Sequence, residues 1–187
     1  MAGERRSLPT YHFTSPTGED CHPFDPNGAI FHRGRYHLGY IYQAGGRHSW
    51  GHVSSADLLR WCQHPPLLAP GPEGGIFSGN AFHDRRGRVV LAYHGLGDAA
   101  TGYPAGNCLA VARDDDLDAF AKLAANPVMR DPGWDPHVWL DGDTCYAISG
   151  SNPREDRPAK TWHNSGRRDA LRRSAGNRAG SRRRGLP

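Results

Sequence analysis

The sequence has no closely spaced cysteines, no long apolar run and no convincing helical periodicity. No stretch approaches the about 18 apolar residues of a membrane span, and the N-terminus lacks the apolar region of a signal peptide. We therefore expect no membrane contact and, by default, a cytoplasmic location. The cysteines are too far apart for a zinc or redox motif, which favours free buried thiols at Cys21, Cys62, Cys108 and Cys145.

Positive charge is concentrated at the C-terminus. From Lys160 to Pro187, nine Lys or Arg and one Asp give +8, whereas the whole chain carries +4, so residues 1–159 carry −4. A mildly acidic body suits a neutral sugar ligand and argues against nucleic acid, whose phosphates require clustered Lys and Arg. The alternative, a tail that binds nucleic acid, predicts retention that is sensitive to salt.

Short apolar and aromatic stretches are joined by turn-forming residues, a pattern that indicates an all-β protein. Several of the connections between these stretches contain Gly residues that tolerate a positive φ, which is typical of hairpins. The predicted strands are Ala29 to His32, Tyr36 to Tyr42, Ser49 to Ser54, Phe77 to Phe82, Val89 to His94, Asn107 to Val111, His137 to Leu140 and Thr144 to Ile148.

The hairpins recur at a regular spacing. Gly34, Gly87 and Gly142 are separated by 53 and 55 residues, and Trp61 and Phe120, which end two similar segments, are 59 apart. A repeat of about 40 to 60 residues with three or four strands is typical of propeller blades, each of which buries its faces against its neighbours. An ordinary β-sandwich with similar hairpins is the alternative.

The amino-acid composition of the chain changes near residue 158. Beyond it, Arg is crowded with Ser, Gly and Asn and apolar alternation is lost, so we expect a disordered basic tail. We accordingly predict a domain over residues 1–157 and a tail over residues 158–187. A shifted reading frame is a further explanation of the tail, which translation of the DNA in the other frames would test.

The most specific motif is Asp25-Pro26-Asn27-Gly28, which precedes a strand and the Gly34 turn. It resembles the start of glycoside hydrolase family 32, the invertase, levanase and inulinase group, whose fold contains a five-bladed β-propeller. The resemblance implies that Asp25 is the catalytic nucleophile of a retaining mechanism. We expect Asp25 at the start of the innermost strand of the first blade, with Pro26 and Gly28 forming a tight turn that directs the carboxylate into the axial pocket.

Further motifs of the same family follow in the expected order. Tyr36 to Gln43 resembles its second strand, Trp50 to Trp61 resembles its Trp-Gly-His and Asp-Leu run, and Phe77-Ser78-Gly79 resembles its Phe-Ser-Gly motif. We expect Trp50 to stack on a sugar ring. The residues that the resemblance assigns to substrate binding are Asn27, Gln43, Trp50, Phe77 and Ser78.

The resemblance implies that the third blade begins with an Asp that stabilises the transition state. Arg130-Asp131-Pro132 spells the family motif, but no strand begins there. Asp135 leads directly into a strand and lies 57 residues after Ser78, close to the 53 residues between Asp25 and Ser78. The spacing therefore favours Asp135, with Asp131 as the fallback.

The family's acid/base Glu has no counterpart that we can identify. Glu155 is the only Glu after Asp143, and it has neither the neighbouring Cys nor a following strand. Five blades at this spacing would need about 275 residues, so we expect about three blades, an incomplete propeller and an impaired active site.

The function that follows is hydrolysis of β-fructosides such as sucrose or fructans. The alternatives are an arabinanase-like or xylosidase-like propeller glycosidase and a non-catalytic carbohydrate-binding remnant. The expected partner is a small carbohydrate, and neither a cofactor nor a metal is implied, because the histidines show no metal-ligand spacing.

Overall fold

The computed structural model describes residues 23–130, 133–150 and 160–164. These residues form eleven strands, and among them there is no helix long and apolar enough to cross a membrane. The strands are β1 Pro23–His32, β2 Arg35–Ala44, β3 Arg47–Ser55, β4 Cys62–Leu68, β5 Gly75–His83, β6 Val89–Leu96, β7 Gly106–Ala112, β8 Phe120–Lys122, β9 His137–Asp141, β10 Thr144–Ser149 and β11 Lys160–Asn164.

The strands form three antiparallel sheets that follow one another along the chain. The first sheet has the order β1-β2-β3-β4, the second β5-β6-β7-β8 and the third β9-β10-β11. The first strand of each sheet lies beside the first strand of the next, so that β5 contacts both β1 and β9. This arrangement is the one predicted for propeller blades.

All eight predicted strands are present, and each is longer than predicted. The sequence analysis missed β4 and β8, the outermost strands of the first two sheets. Strand β4 contains Pro65 and Pro66, which lack the N–H that an inner strand needs but are tolerated at a sheet edge. Strand β8 has only three residues, too few for a visible alternation.

The middle of the second sheet is buried on both faces. In β6, Leu91 and Tyr93 pack toward the first sheet, whereas Ala92 packs toward the third. Because successive side chains of a strand point to opposite faces, one apolar strand serves two cores.

The hairpin repeat is visible in the backbone. Gly34, Gly87 and Gly142 all have positive φ values, of 80°, 75° and 54°. Leu58 and Leu117 also have positive φ values, of 62° and 59°, and occupy matching turns before β4 and β8. A bulky residue rarely adopts this conformation, so the shared geometry supports the internal repeat.

An Asn on each of the first two inner strands joins its sheet to the next. Asn27 Oδ1 accepts a hydrogen bond from the Gly79 N–H at 3.0 Å. Asn80 Nδ2 donates to the Val138 carbonyl and Asn80 Oδ1 accepts from the Val138 N–H, both at 2.8 Å. These side chains satisfy backbone groups that face another sheet.

The structure differs from the prediction at the start of the tail. Lys160–Asn164 pairs antiparallel with β10 as an edge strand, in a segment that we assigned to disorder. Edge pairing uses backbone hydrogen bonds and does not need the apolar alternation on which the prediction relied. The rest of residues 158–187 lies outside the described residues.

The three described cysteines are free thiols, as predicted. Burial was correct for Cys108, whereas Cys145 is half-buried and Cys62 is exposed. Cys21 lies outside the described residues.

Candidate active site

Asp25 lies within β1, where the strand is irregular. The register of β1 against β2 shifts between Pro23 and Pro26 and again between Asn27 and Ile30, and Gly28 has a φ of 56°. The predicted tight turn is therefore wrong: the motif forms bulges inside a strand, where Pro and a positive-φ Gly are both tolerated. A bulge redirects the neighbouring side chain, and Asp25 is exposed to solvent.

Ser78 brings the second sheet to the Asp25 carboxylate. Its hydroxyl donates a hydrogen bond to Asp25 Oδ2 at 3.3 Å, across 53 residues of sequence. Ser78 occupies the same place in β5 that Asp25 occupies in β1, as the parallel runs Asp25-Pro26-Asn27 and Ser78-Gly79-Asn80 indicate. The two sheets thus place equivalent side chains side by side.

Asn27 holds the backbone beneath the site. Its side chain is only 6% exposed, and Nδ2 donates to the carbonyl of Asp25 at 2.8 Å while Oδ1 bonds to Gly79. Both ends of the amide are engaged by the protein. The structure therefore gives Asn27 a positioning role, and the substrate contact that we predicted stays a prediction.

Trp50 is a core residue. It is completely buried, its Nε1–H donates to the carbonyl of Phe77 at 3.2 Å, and its ring would lie 3.0 Å from a Cβ added at Gly28. A ring without exposed surface cannot stack on a sugar, so the predicted stacking role is wrong. Trp50, on β3, instead packs beside Gly28 of β1 and bonds to Phe77 of β5.

An arc of aromatic side chains lies beside Ser78. Phe77 contacts His48 and Trp134, with ring centroids 4.7 and 5.3 Å apart. His48 also contacts Phe24, and Trp134 stacks on His94 at 4.5 Å. Phe24 and Trp134 are substantially exposed, so the arc can offer apolar surface to a ligand.

The sequence analysis found Phe77 but missed the other members of this arc. They come from four separate elements and have no shared spacing, so only the folded structure could reveal them.

Asp135 follows Trp134 directly and is exposed, with a φ of 54°. The carbonyl of Trp134 accepts a hydrogen bond from the N–H of Gly150 at 2.9 Å, which fixes this loop to the end of the third sheet. Burial lowers the pKa of His94. The hydrogen bond with Asn107 and the nearby Asp135 carboxylate act in the opposite direction and raise this pKa. The structure thus places Asp135 beside the aromatic arc.

The remaining predicted site residues are Gln43 and Asp131. Gln43 is half-buried near the end of β2 and pairs across the ladder with His48, a member of the arc. Asp131, the fallback for Asp135, lies outside the described residues.

Glu73 is the only glutamate among the described residues, and it does not face the site. It is 1% exposed, and its carboxylate accepts hydrogen bonds from Lys122 at 2.8 Å and from the Tyr93 hydroxyl at 2.9 Å. Burial would raise the pKa of Glu73, but the hydrogen bonds from Lys122 and from backbone N–H groups outweigh burial and lower it. A carboxylate held ionised in this way is unsuited to act as a general acid.

A separate group of histidines lies between β3, β4 and the segment before β8. His52, His64 and Asp118 place one ligand atom each within 4.8 Å of one another. Burial, and then His64 and His37, lower the pKa of His52 to about 3. The predicted lack of metal ligands considered spacing along the chain only, and these residues meet through folding.

The sequence matches the model of the glycosyl hydrolases family 32 N-terminal domain over residues 12–169, which includes the first residues of the segment assigned to the tail. A sucrose-6-phosphate hydrolase of Salmonella typhimurium is 36% identical over 176 residues, covering 84% of this chain and 36% of that protein. A β-fructofuranosidase of Zea mays is 34% identical over 138 residues, covering 68% and 20%. The chain spans about a third or less of the length of these curated relatives.

Solved structures agree with these matches. A β-fructofuranosidase of Bombyx mori has a TM-score of 0.64 and 30% identity, covering 77% of this chain and 33% of that one. A fructan 1-exohydrolase of Cichorium intybus in complex with 1-kestose has a TM-score of 0.70 and 24% identity, covering 82% and 31%. The predicted fold class, an all-β propeller type, is confirmed.

Proposed function

The chain belongs to glycosyl hydrolase family 32, and from this premise we propose that it carries the nucleophile side of a β-fructosidase active site. The observation that supports this proposal is the pairing of Asp25 with Ser78 beside an exposed aromatic arc. The substrate class is a β-fructoside of the sucrose or fructan type, a neutral ligand suited to a site formed by hydroxyl, carboxylate and aromatic groups.

The reaction begins with attack by an Asp25 oxygen on the anomeric carbon. The bond from that carbon to the leaving oxygen breaks, and a fructosyl ester of Asp25 forms; water then hydrolyses the ester with retention. Ser78 donates a hydrogen bond to the same carboxylate and thereby orients it. Asp135, at the far side of the arc, is the group that we assign to stabilising the positive charge of the transition state.

The leaving oxygen also needs a proton. Because Glu73 is buried and paired with Lys122, the described residues offer no glutamate in a position to supply it. The resemblance makes the general acid, which contributes about 10²- to 10⁴-fold, a Glu, so we place it outside the described residues.

Because the proposed nucleophile lies among the described residues and the general acid does not, the nucleophile can be tested separately from the acid. The phenolate of an aryl β-fructoside with an acidic phenol can leave without protonation. The glucose of sucrose needs a proton on its oxygen before it can leave. We expect the full chain to release the phenol and to act on sucrose less efficiently by about 10²- to 10⁴-fold, measured as kcat/KM. The variant Asp25→Asn should abolish phenol release.

The matched control is Asp141→Asn, which changes an exposed Asp at the end of β9, in a hairpin away from the arc, and should leave phenol release unchanged. The proposal would be wrong if phenol release survived in Asp25→Asn. Binding of fructosides without any turnover, by wild type and Asp25→Asn alike, would favour a non-catalytic carbohydrate-binding protein. The family match favours the fructosidase over the arabinanase-like or xylosidase-like alternative.

A further inference from the structure

The histidine group between the first two sheets has the donor set of a transition-metal site. His52 lies on β3, His64 on β4, and Asp118 in the segment that leads to β8. His64 Nδ1 is 2.8 Å from Asp118 Oδ1, and His52 Nδ1 is 4.0 Å from the same oxygen. Three ligand atoms therefore surround one small volume, and they come from two different sheets.

His52 provides the observation that points to a ligand. Its side chain is completely buried, and its Nδ1 is the one buried side-chain nitrogen or oxygen without a hydrogen-bond partner in the part of the chain that the structure describes. A buried polar atom is costly to leave unpaired, and such atoms are rare in folded proteins. The unpaired atom faces Asp118 and His64, where a cation would complete its coordination.

The other ring nitrogens are already engaged in the way that metal-bound histidines require. His52 Nε2 is 2.9 Å from His37 Nδ1, and His64 Nε2 is 2.6 Å from the Ser54 hydroxyl. If each Nε2 carries the proton, both Nδ1 atoms present lone pairs to the same volume. Such outer hydrogen bonds fix the ring orientation and tautomer of metal ligands.

The same contacts also include a Ser54–His64–Asp118 chain, which resembles the order of a catalytic triad. Ser54 is completely buried, and its hydroxyl also accepts a hydrogen bond from Arg35 Nε at 3.0 Å. A nucleophile without access to solvent cannot reach a substrate, so this chain of hydrogen bonds does not support a second hydrolytic site.

We propose that His52, His64 and Asp118 bind one zinc-like divalent ion through two Nδ1 atoms and one carboxylate oxygen. Two imidazoles and a carboxylate suit Zn²⁺, whereas Ca²⁺ and Mg²⁺ prefer oxygen ligands only. Tetrahedral zinc with bonds of about 2.0 to 2.1 Å requires small shifts of the present atoms. The Asp118 side chain, 44% exposed, can make such a shift and leaves the fourth position open to water.

The ion would join the edge of the first sheet to the outer segment of the second. Two of its ligands lie on β3 and β4, and the third lies between β7 and β8. Because the site is complete only when the two sheets are docked, binding stabilises the folded state by mass action. The role that we infer is therefore structural and independent of the fructosidase reaction.

The test uses the full chain without an affinity tag, stripped of metal and then titrated with Zn²⁺. We expect one equivalent of zinc by elemental analysis, a rise in Tm that chelator reverses, and the visible absorption of tetrahedral Co²⁺ when cobalt replaces zinc. The variants Asp118→Asn and His64→Gln, both at partly exposed positions, should lower the zinc affinity at least tenfold. Ser54→Ala, which removes an outer hydrogen bond, should lower it by about 10- to 100-fold.

The matched control is Asp115→Asn. Asp115 is a carboxylate of the same segment that pairs with Arg33 at 2.9 Å and offers no ligand atom to the site. The Asp115→Asn variant should bind zinc as wild type does. Equal zinc affinity in wild type, Asp118→Asn and His64→Gln would overturn the proposal, as would the absence of stoichiometric binding to wild type.

Discussion

The two junctions between neighbouring sheets differ in how much apolar volume they bury. The cluster between the first and second sheets contains eleven buried residues, among them Trp50, Tyr93 and Leu91. The cluster between the second and third sheets contains four, namely Ala92, Met129, Val138 and Ala147. Because burial free energy follows apolar area, the first junction should be the stronger in the described part of the chain.

One polar connection recurs at both junctions, in contrast to the apolar packing. Asn27 bonds to the backbone of Gly79 at the first junction, and Asn80 bonds to the backbone of Val138 at the second. The repeat thus keeps the Asn that joins each inner strand to the next sheet, while the apolar packing varies with the neighbour.

The largest effect should come from Trp50→Ala, which removes the largest side chain of the first junction. We expect a loss of about 3 to 5 kcal/mol in the free energy of unfolding, measured by urea denaturation. The control is Trp139→Ala in the third sheet, whose side chain is 37% exposed and should cost much less. Equal losses would contradict the assignment of Trp50 to the buried core of the first junction.

Glu73→Gln should weaken the segment that leads into the second sheet by about 1 to 3 kcal/mol, because it leaves Lys122 without its carboxylate partner. The lowered pKa of Glu73 sets the sign of its pH dependence. The stabilisation is fully present above the carboxyl's ordinary pKa of 4.5 and is lost as the pH falls through the lowered value.

Urea denaturation of wild type and Glu73→Gln between pH 7 and pH 3 measures this dependence. The two proteins should converge in stability toward the acid end. A constant difference over the whole range would show that the Glu73 carboxylate does not contribute through its charge.

Asn80→Ala should loosen the second junction selectively, because the N–H and carbonyl of Val138 lose their partners. We expect a cost of about 1 to 2 kcal/mol and faster hydrogen exchange at the amides of β9. In the counterpart Asn27→Ala, the faster exchange should appear at Gly79 in β5. The same exchange pattern in both variants would argue against separate junctions.

The smallest effect should come from Asp115→Asn, which removes the exposed ion pair with Arg33 between the first two sheets. Both side chains are 64% exposed, so we expect a change of about 0 to 1 kcal/mol that diminishes with added salt. Unfolding experiments at low and high ionic strength would measure it. A larger loss that salt does not affect would indicate another role for Asp115.

The sequence could predict features that are local or periodic. The strands of alternating residues, the Gly hairpins and the runs around Asp25 and Ser78 are all continuous in the chain, and the structure brings those two side chains together. The spacing of the repeat also favoured Asp135, which follows Trp134 of the arc, and its role stays a prediction.

The remaining features depend on contacts between distant residues. Trp50 looked available to a sugar, but its burial is decided by Gly28 and Phe77 from another strand and another sheet. The His52 group likewise joins separate strands and a turn. No periodicity along the chain encodes contacts between such distant residues, so sequence patterns alone could not reveal them.

Asp25 and Ser78 lie within the first strands of two successive sheets, and Asp135 lies two residues before the first strand of the third. Each sheet contributes one of these polar side chains. Exchange of one sheet for another would replace one of them and leave the other two in position. Proteins of this architecture can therefore diversify their chemistry one side chain at a time on an unchanged scaffold.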